Sequence, residues 1–106
     1  MTVLNDLIRD ARTEELTEST RVRAAFDALY CMARHRNAAA DVRQALAALP
    51  VSLEDTARIA RLYHWVREVA PCEPLPMSPD DAASLAERVH KSVETRRAKS
   101  DRRARA

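Results

Sequence analysis

Glycine is absent from this chain of 106 residues, whereas soluble proteins contain about 7% on average. Glycine adopts positive φ more readily than any other residue, and the tight turns of β-hairpins depend on such residues. A fold rich in β-hairpins is therefore disfavoured. The same absence excludes the glycine-rich phosphate loops of P-loop and dinucleotide-binding proteins, so nucleotide-dependent chemistry of these types is not expected.

Cysteine is scarce as well, with only Cys31 and Cys72 in the chain. The two lie far apart and form no C-x-x-C motif, which favours free thiols over a disulfide or a metal site. The three histidines form neither an H-E-x-x-H motif nor a cluster with cysteine. The sequence therefore predicts no metal and no cofactor.

Long apolar runs are also missing. No segment approaches the roughly 20 apolar residues that a membrane-spanning helix needs. The first residues, Met1–Asp6, lack the basic and apolar regions of a signal peptide. We therefore expect a cytoplasmic protein that does not associate with membranes.

The chain is rich in alanine, leucine, arginine and glutamate, which are all good helix formers. Apolar residues recur at intervals of three and four and predict five helices. We expect an all-α fold, an antiparallel bundle with the second and fourth helices as its central pair. The predicted helices are Val3–Glu14, Thr17 or Ser19 to Arg36, Ala39–Leu49, Ser52–Ala70 and a fifth that begins at Pro79.

Capping residues and prolines mark the ends of these helices. Ser78, followed by Pro79 and two aspartates, is typical of a helix N-terminus. Ser52 precedes the fourth helix in a similar way, and Asn37 is predicted to end the second helix in the left-handed conformation. The three prolines within residues 71–77 favour an extended segment between the fourth and fifth helices.

Basic charge is concentrated near the end of the sequence. Residues 96–106 carry six basic side chains and one acidic one, a local charge of +5 that leaves residues 1–95 at about −3. We expect one domain over residues 1–95 and a flexible, disordered tail over residues 96–106. The tail can also contact the phosphates of RNA or DNA, without base stacking because it has no aromatic residue. Its cations are Arg96, Arg97, Lys99, Arg102, Arg103 and Arg105.

An aromatic cluster lies in the fourth helix, where Tyr63, His64 and Trp65 are followed by Arg67. Packing within the bundle is the simplest interpretation of this cluster. Aromatic residues together with arginine also anchor many interfaces, so these four residues are the best candidates for a binding surface or pocket. His35 is expected to be a cation at a helix end, and His90 a surface residue.

The segment Ser19–Tyr30, with the sequence STRVRAAFDALY, resembles the second helix of HEPN domains, which are small bacterial helical proteins. Leu7–Arg12 is similar to their first helix. Tyr63–Arg67, followed by the proline-rich segment Pro71–Pro76 and a capped last helix, follows the same order of parts. The resemblance covers residues 3–95 and implies an antiparallel helical bundle that often forms homodimers.

The resemblance also bears on activity. Active HEPN proteins are metal-independent ribonucleases, frequently toxins, whereas others are non-catalytic binding domains or partners of nucleotidyltransferases. Active members carry an arginine followed, after four to six residues, by a histidine. Arg67 is similar to that arginine, but Glu68 replaces the usual asparagine and no histidine follows at the required spacing. The resemblance therefore implies that the general acid–base residue is missing.

Arg58 and His64 have the required spacing elsewhere in the chain, but in a straight helix they lie about 240° apart around the axis. We therefore expect a non-catalytic HEPN-like interaction module. It would be a homodimer or one half of a toxin–antitoxin-like or nucleotidyltransferase-associated pair. Two alternatives stay open: a metal-independent endoribonuclease that uses Arg58 and His64, or Arg67, and a nucleic-acid-binding protein or small protein inhibitor that acts through its surface and basic tail.

Overall fold

Five α-helices make up the secondary structure of the residues that the structure describes. The computed structural model describes the backbone of residues 2–68 and 74–105 and the side chains of residues 3–68 and 74–98. These residues contain no β-strand, which confirms the all-α prediction. The helices are α1 (Thr2–Arg12), α2 (Glu18–Arg36), α3 (Val42–Ala47), α4 (Leu53–Glu68) and α5 (Pro79–Arg105).

The N-termini of α2, α3, α4 and α5 are capped by side chains. The hydroxyl of Ser52 accepts a hydrogen bond from the backbone N–H of Asp55, and that of Ser78 accepts one from Asp81, each over 3.1 Å. Both predicted caps are therefore confirmed. Thr17 and Asp41 cap α2 and α3 in the same manner, so that α3 begins later than the predicted Ala39.

The end of α2 differs from the prediction. Asn37 has φ −150° and ψ 77°, and no described residue has a positive φ. The left-handed conformation predicted for Asn37 is therefore wrong. It is not needed, because the Asn37 N–H still donates to the carbonyl of Ala33 at 3.0 Å. Beyond it, the Arg34 guanidinium donates to the carbonyl of Ala40 at 2.7 Å and fixes the connection to α3.

The central helix of the bundle is α2, which contacts each of the other four helices. Its main neighbours are α1 and α5, and α4 packs against α2 and α3 at the periphery. The predicted central pair of second and fourth helices is therefore wrong. Only Asp55, Ile59 and Leu62 are buried in α4, and Leu53 is 89% exposed.

Small side chains allow the helices around α2 to approach closely. Nine of the twenty buried hydrophobic residues in the described part of the chain are alanine. The alanines of α2 and α5 supply most of them, and their short side chains let neighbouring backbones pack tightly. The nine are Ala11, Ala24, Ala25, Ala28, Ala33, Ala45, Ala82, Ala83 and Ala86.

Polar links fix the relative orientation of α1, α2 and α5. The Arg21 guanidinium donates to the carbonyl of Ala11, near the end of α1, at 3.0 Å and to the carboxylate of Asp80 at 2.9 Å. Arg12 forms an ion pair with Glu87 at 2.7 Å. The end of α1 and the starts of α2 and α5 therefore lie at the same end of the bundle.

Two boundaries bear on the predicted domain limits. Pro74–Met77 are not helical, as the prolines predict. Residues 71–73 of the predicted extended segment lie outside the described residues, and so does Ala70, the predicted end of the fourth helix. The helix α5 continues through the basic segment to Arg105, where an irregular tail was expected. The reason is local: Arg, Ala and Lys favour helix, and no proline or glycine follows Pro79 to interrupt it.

Candidate functional site

A pocket of about 220 Å³ lies between α3 and α4. Leu46 and Ile59, both buried, contribute the apolar part of its lining. Arg43, His64 and Arg67 supply basic groups, and Glu68 is the one carboxylate among its lining residues. Tyr63, His64 and Arg67, three of the four residues proposed from the sequence, therefore come together here.

Tyr63 and Arg67 form an ordered unit on this pocket. The Tyr63 ring stacks on Phe26 of α2, with the ring centres 6.2 Å apart. The Arg67 guanidinium lies 5.5 Å from the centre of the Tyr63 ring and donates a hydrogen bond of 3.1 Å to the Tyr63 hydroxyl. These contacts favour one position of the cation, which reduces the entropy lost on binding.

His64 and Trp65 take different positions. The His64 Nδ1 lies 3.5 Å from a Glu68 carboxylate oxygen, and both side chains are largely exposed at the edge of the pocket. Trp65 does not line the pocket and is half-buried against the hydrophobic core. The structure therefore separates Trp65 from the other three residues. Its position agrees with the simpler interpretation of the cluster, which is packing within the bundle.

The structure does not bring Arg58 and His64 together. The helix α4 is unbroken from Leu53 to Glu68, so the two side chains remain on different faces. Arg58 donates to the Asp55 carboxylate at 2.7 Å and lines a second cavity, whereas His64 lines the α3–α4 pocket. Arg67 shares the pocket with His64, but it precedes no histidine at the spacing of the ribonuclease motif.

The second cavity, of about 390 Å³, lies beside a buried carboxylate that sequence reasoning missed. Asp55 accepts hydrogen bonds from Arg58 and from two nitrogens of Arg88 on α5, at 2.9 and 3.2 Å. The hydrogen bond from Arg88 holds the pKa of Asp55 below its ordinary value, although burial acts in the opposite direction. The only signal for this carboxylate in the sequence was the capping pattern that begins at Ser52. That pattern includes Asp55 but does not identify Arg88 as its partner.

A third cavity, of about 480 Å³, lies along α5. Basic and hydroxyl side chains dominate its lining, which consists of Pro50, Arg88, Lys91, Ser92, Thr95 and Arg96. Of the predicted tail cations with described side chains, Arg96 lines this cavity and Arg97 does not. Arg97 is exposed on the same helix. The side chains of Lys99, Arg102, Arg103 and Arg105 lie outside the described residues.

Other candidate residues do not form a site. Within residues 3–68 and 74–98, no three His, Cys, Asp or Glu side chains are grouped in a way that would hold a metal ion. Cys31 is a half-buried free thiol, and Cys72 lies outside the described part. His35 is exposed, and His90 lies 3.1 Å from Glu94.

None of the helices, over the residues described, is both long and apolar enough to span a membrane.

Comparison with known proteins found no match. No family model fits the chain, and neither a curated protein nor a solved structure is significantly similar to it.

Proposed function

We propose that this chain is a non-catalytic, HEPN-like helical interaction module that forms a homodimer through the α3–α4 pocket. The observation that carries the proposal is the preformed arginine at that pocket. Arg67 is held against Tyr63 by a hydrogen bond and by its position over the ring. Aromatic residues and arginine in such an arrangement are typical of the residues that dominate interface energies.

The chemistry of the pocket defines what it binds. The apolar lining, which consists of the exposed Ala47 and Ala60 and the buried Leu46 and Ile59, favours an apolar side chain. The basic groups of Arg43 and Arg67 favour carboxylates beside it, since oppositely charged surfaces associate faster and more specifically. The expected occupant is therefore a short segment with an apolar residue flanked by acids.

The chain itself offers such a segment from the connection after α1 to the first residue of α2. Glu14, Glu15 and Glu18 are exposed there, and Leu16 between them is only half-buried. A second copy can present this acidic segment to the pocket of the first copy. Two such contacts related by a two-fold axis would form a closed dimer. We therefore assign a second copy as the occupant.

The test is the concentration dependence of self-association, measured by sedimentation velocity at low ionic strength. The double variant Arg43→Glu/Arg67→Glu is expected to raise the dimer dissociation constant at least tenfold, because it places acids opposite acids. The variant Glu14→Arg/Glu15→Arg is expected to do the same, and the combination of both is expected to restore the dimer. The control is Arg61→Glu, which changes an exposed arginine of α4 that does not line this pocket.

Two results would contradict the homodimer. A wild-type chain that stays monomeric over the whole concentration range excludes it, and then a different partner, such as the nucleotidyltransferase that the HEPN resemblance implies, becomes the better hypothesis. An equal loss in the Arg61→Glu control shows that only net charge matters. Circular dichroism of every variant checks that the fold is retained.

The non-catalytic part of the proposal has its own test. It is supported by the separation of Arg58 from His64 on α4. No cleavage of a labelled RNA is expected in the presence of EDTA. If the wild-type chain cleaves and His64→Ala does not, the ribonuclease function replaces the present proposal.

A further inference from the structure

We infer that one face of α5 binds the phosphate backbone of duplex DNA without sequence specificity. This basic face is defined by Arg88, Lys91, Ser92, Thr95 and Arg96. It is separate from the α3–α4 pocket, so the inference does not rest on the proposed homodimer.

The charges of α5 are segregated around the helix axis. At about 100° per residue, Arg88, Lys91 and Arg96 lie within about 140° of arc. The described acids Glu87 and Glu94 are centred about 120° away around the axis, and Arg97 lies opposite the basic face. Asp81 shares the register of Arg88 but lies two turns before it. From Arg88 to Arg96 the face therefore carries a stripe of one charge sign.

Glu87 and Glu94, the described acids that flank the basic face, are engaged with other residues. Glu87 is bonded to Arg12 of α1 at 2.7 Å, and Glu94 lies 3.1 Å from His90. The described lining of the cavity on the basic face contains no carboxylate. Lys91 and Arg96 are exposed there, and Ser92 adds a half-buried hydroxyl group. The surface therefore offers several donors to an anion without a competing acid in its lining.

Arg88 has a second role at the edge of this face. Its Nε and Nη2 donate hydrogen bonds to the Asp55 carboxylate. These bonds orient the guanidinium and neutralise part of its charge. Lys91 and Arg96 consequently supply most of the described positive charge that a ligand can use. For this reason the test changes Lys91 and Arg96 and leaves Arg88 intact.

The length of the stripe matches a polyphosphate better than a single phosphate. At 1.5 Å per residue, Arg88 and Arg96 are about 12 Å apart along the axis. Duplex DNA presents a charge about every 1.7 Å of its axis, so a stripe of this length spans about three base pairs. A chain of phosphates can thus engage several of these cations at once.

The surroundings of the stripe favour duplex DNA over other nucleic acids. Single strands are bound by aromatic platforms that stack on bases, and no aromatic residue lines the described cavity on this face. Duplex RNA is recognised mostly by its shape and by its 2′-hydroxyls together with its phosphates, whereas duplex DNA presents phosphates at about one charge per 1.7 Å of its axis. An exposed helix face that carries cations and hydroxyls is therefore suited to the backbone of duplex DNA.

The experiment measures binding of the full chain to a fluorescein-labelled 20-base-pair DNA duplex of arbitrary sequence by anisotropy. Arg96→Ala and Arg97→Ala form a matched pair, because the two exposed residues are adjacent and of the same type but lie on different faces. Arg96→Ala is expected to weaken binding at least threefold, and Arg97→Ala less than 1.5-fold. Lys91→Ala/Arg96→Ala is expected to weaken binding at least tenfold and to reduce the slope of log K against log salt by about 2.

Several results would overturn the inference. Absence of wild-type binding at low salt would do so, as would equal losses in Arg96→Ala and Arg97→Ala, since the latter result means that charge alone acts. Binding to duplex RNA or single-stranded DNA of the same length that equals binding to duplex DNA would contradict the assigned ligand. The dimer-disrupting Arg43→Glu/Arg67→Glu variant separates the two proposals, because it leaves the basic face of α5 unaltered.

Discussion

Asp55 and Arg88 are 33 residues apart in the chain, and two hydrogen bonds between their side chains join the start of α4 to α5. Asp55 is the buried charged residue of the described part of the chain, so its charge depends on this partner. Removal of one member of such a pair leaves the other without its compensating group.

The first prediction follows from this pair. Asp55→Asn is expected to lower the free energy of unfolding by about 1–2 kcal/mol, because the charge that accepts the bonds of Arg58 and Arg88 is lost. Glu54→Gln is the matched control, since Glu54 is 84% exposed and lies 3.9 Å from Arg58. Urea denaturation, followed by the fluorescence of the single tryptophan Trp65, measures both. Equal effects of the two variants would show that the long-range pair contributes little.

The second prediction concerns pH. The hydrogen bond from Arg88 lowers the pKa of Asp55 below its ordinary value of 3.8. A carboxyl group with a lowered pKa in the folded state stabilises the fold above the unfolded-state pKa, and this contribution is lost as pH falls through the folded-state pKa. We expect the stability of the wild type to decrease more steeply than that of Asp55→Asn as pH falls below about 3.8. Parallel pH profiles of the two proteins would contradict the prediction.

The third prediction compares two leucines. Leu29 is fully buried at the centre of α2, whereas Leu53 at the start of α4 is 89% exposed. Leu29→Ala is expected to cost about 2–5 kcal/mol, because it removes buried surface and leaves a cavity. Leu53→Ala is expected to change stability by no more than about 0.5 kcal/mol. A large effect of Leu53→Ala in urea denaturation would show that this residue is covered in solution.

The fourth prediction compares two arginines of α2. The Arg21 side chain is 11% exposed and joins Ala11 to Asp80, whereas Arg23 forms an exposed pair with Asp27 four residues on. Arg21→Ala is expected to lower the free energy of unfolding by about 1–3 kcal/mol, and Arg23→Ala by about 0.5 kcal/mol or less. Thermal unfolding by circular dichroism distinguishes them. Similar midpoints would mean that the contacts of Arg21 are replaced by water without loss.

The fifth prediction tests the domain limits. Every buried hydrophobic residue of the described part lies between Leu4 and Val89. Deletion of residues 96–106 is therefore expected to change the free energy of unfolding by less than about 0.5 kcal/mol, while the total helical signal decreases. Loss of cooperative unfolding would show that the end of α5 belongs to the folded unit.

Features set by neighbouring residues were predictable from the sequence. The caps at Ser52 and Ser78 depend on residues three positions away, and the structure confirms them. The helices follow from apolar periodicity and from the lack of glycine. The peripheral place of α4 was not predictable, because alanines at its positions 57 and 60 fit a core or a surface equally well, and both are exposed.

The candidate site was predictable in part. Tyr63, His64 and Arg67 fall within one side of a helix, whereas Trp65 lies about 200° from Tyr63 around the axis, so periodicity alone separates the tryptophan from the pocket. The pairing of Asp55 with Arg88 needed the tertiary arrangement, because many arginines are available in this sequence. The basic face of α5 was not identified, because only the charges after residue 95 were considered together, whereas Arg88 and Lys91 of this face precede them.

The alanine packing around α2 has a consequence for how the gene can vary. A single-nucleotide change in an alanine codon gives Gly, Ser, Thr, Val, Pro, Asp or Glu. At a fully buried position such as Ala28 or Ala86, only glycine and serine avoid a large increase in volume, and glycine weakens a helix. We therefore expect missense variants at these codons to be depleted in a mutational scan, although alanine is often regarded as the most replaceable of residues.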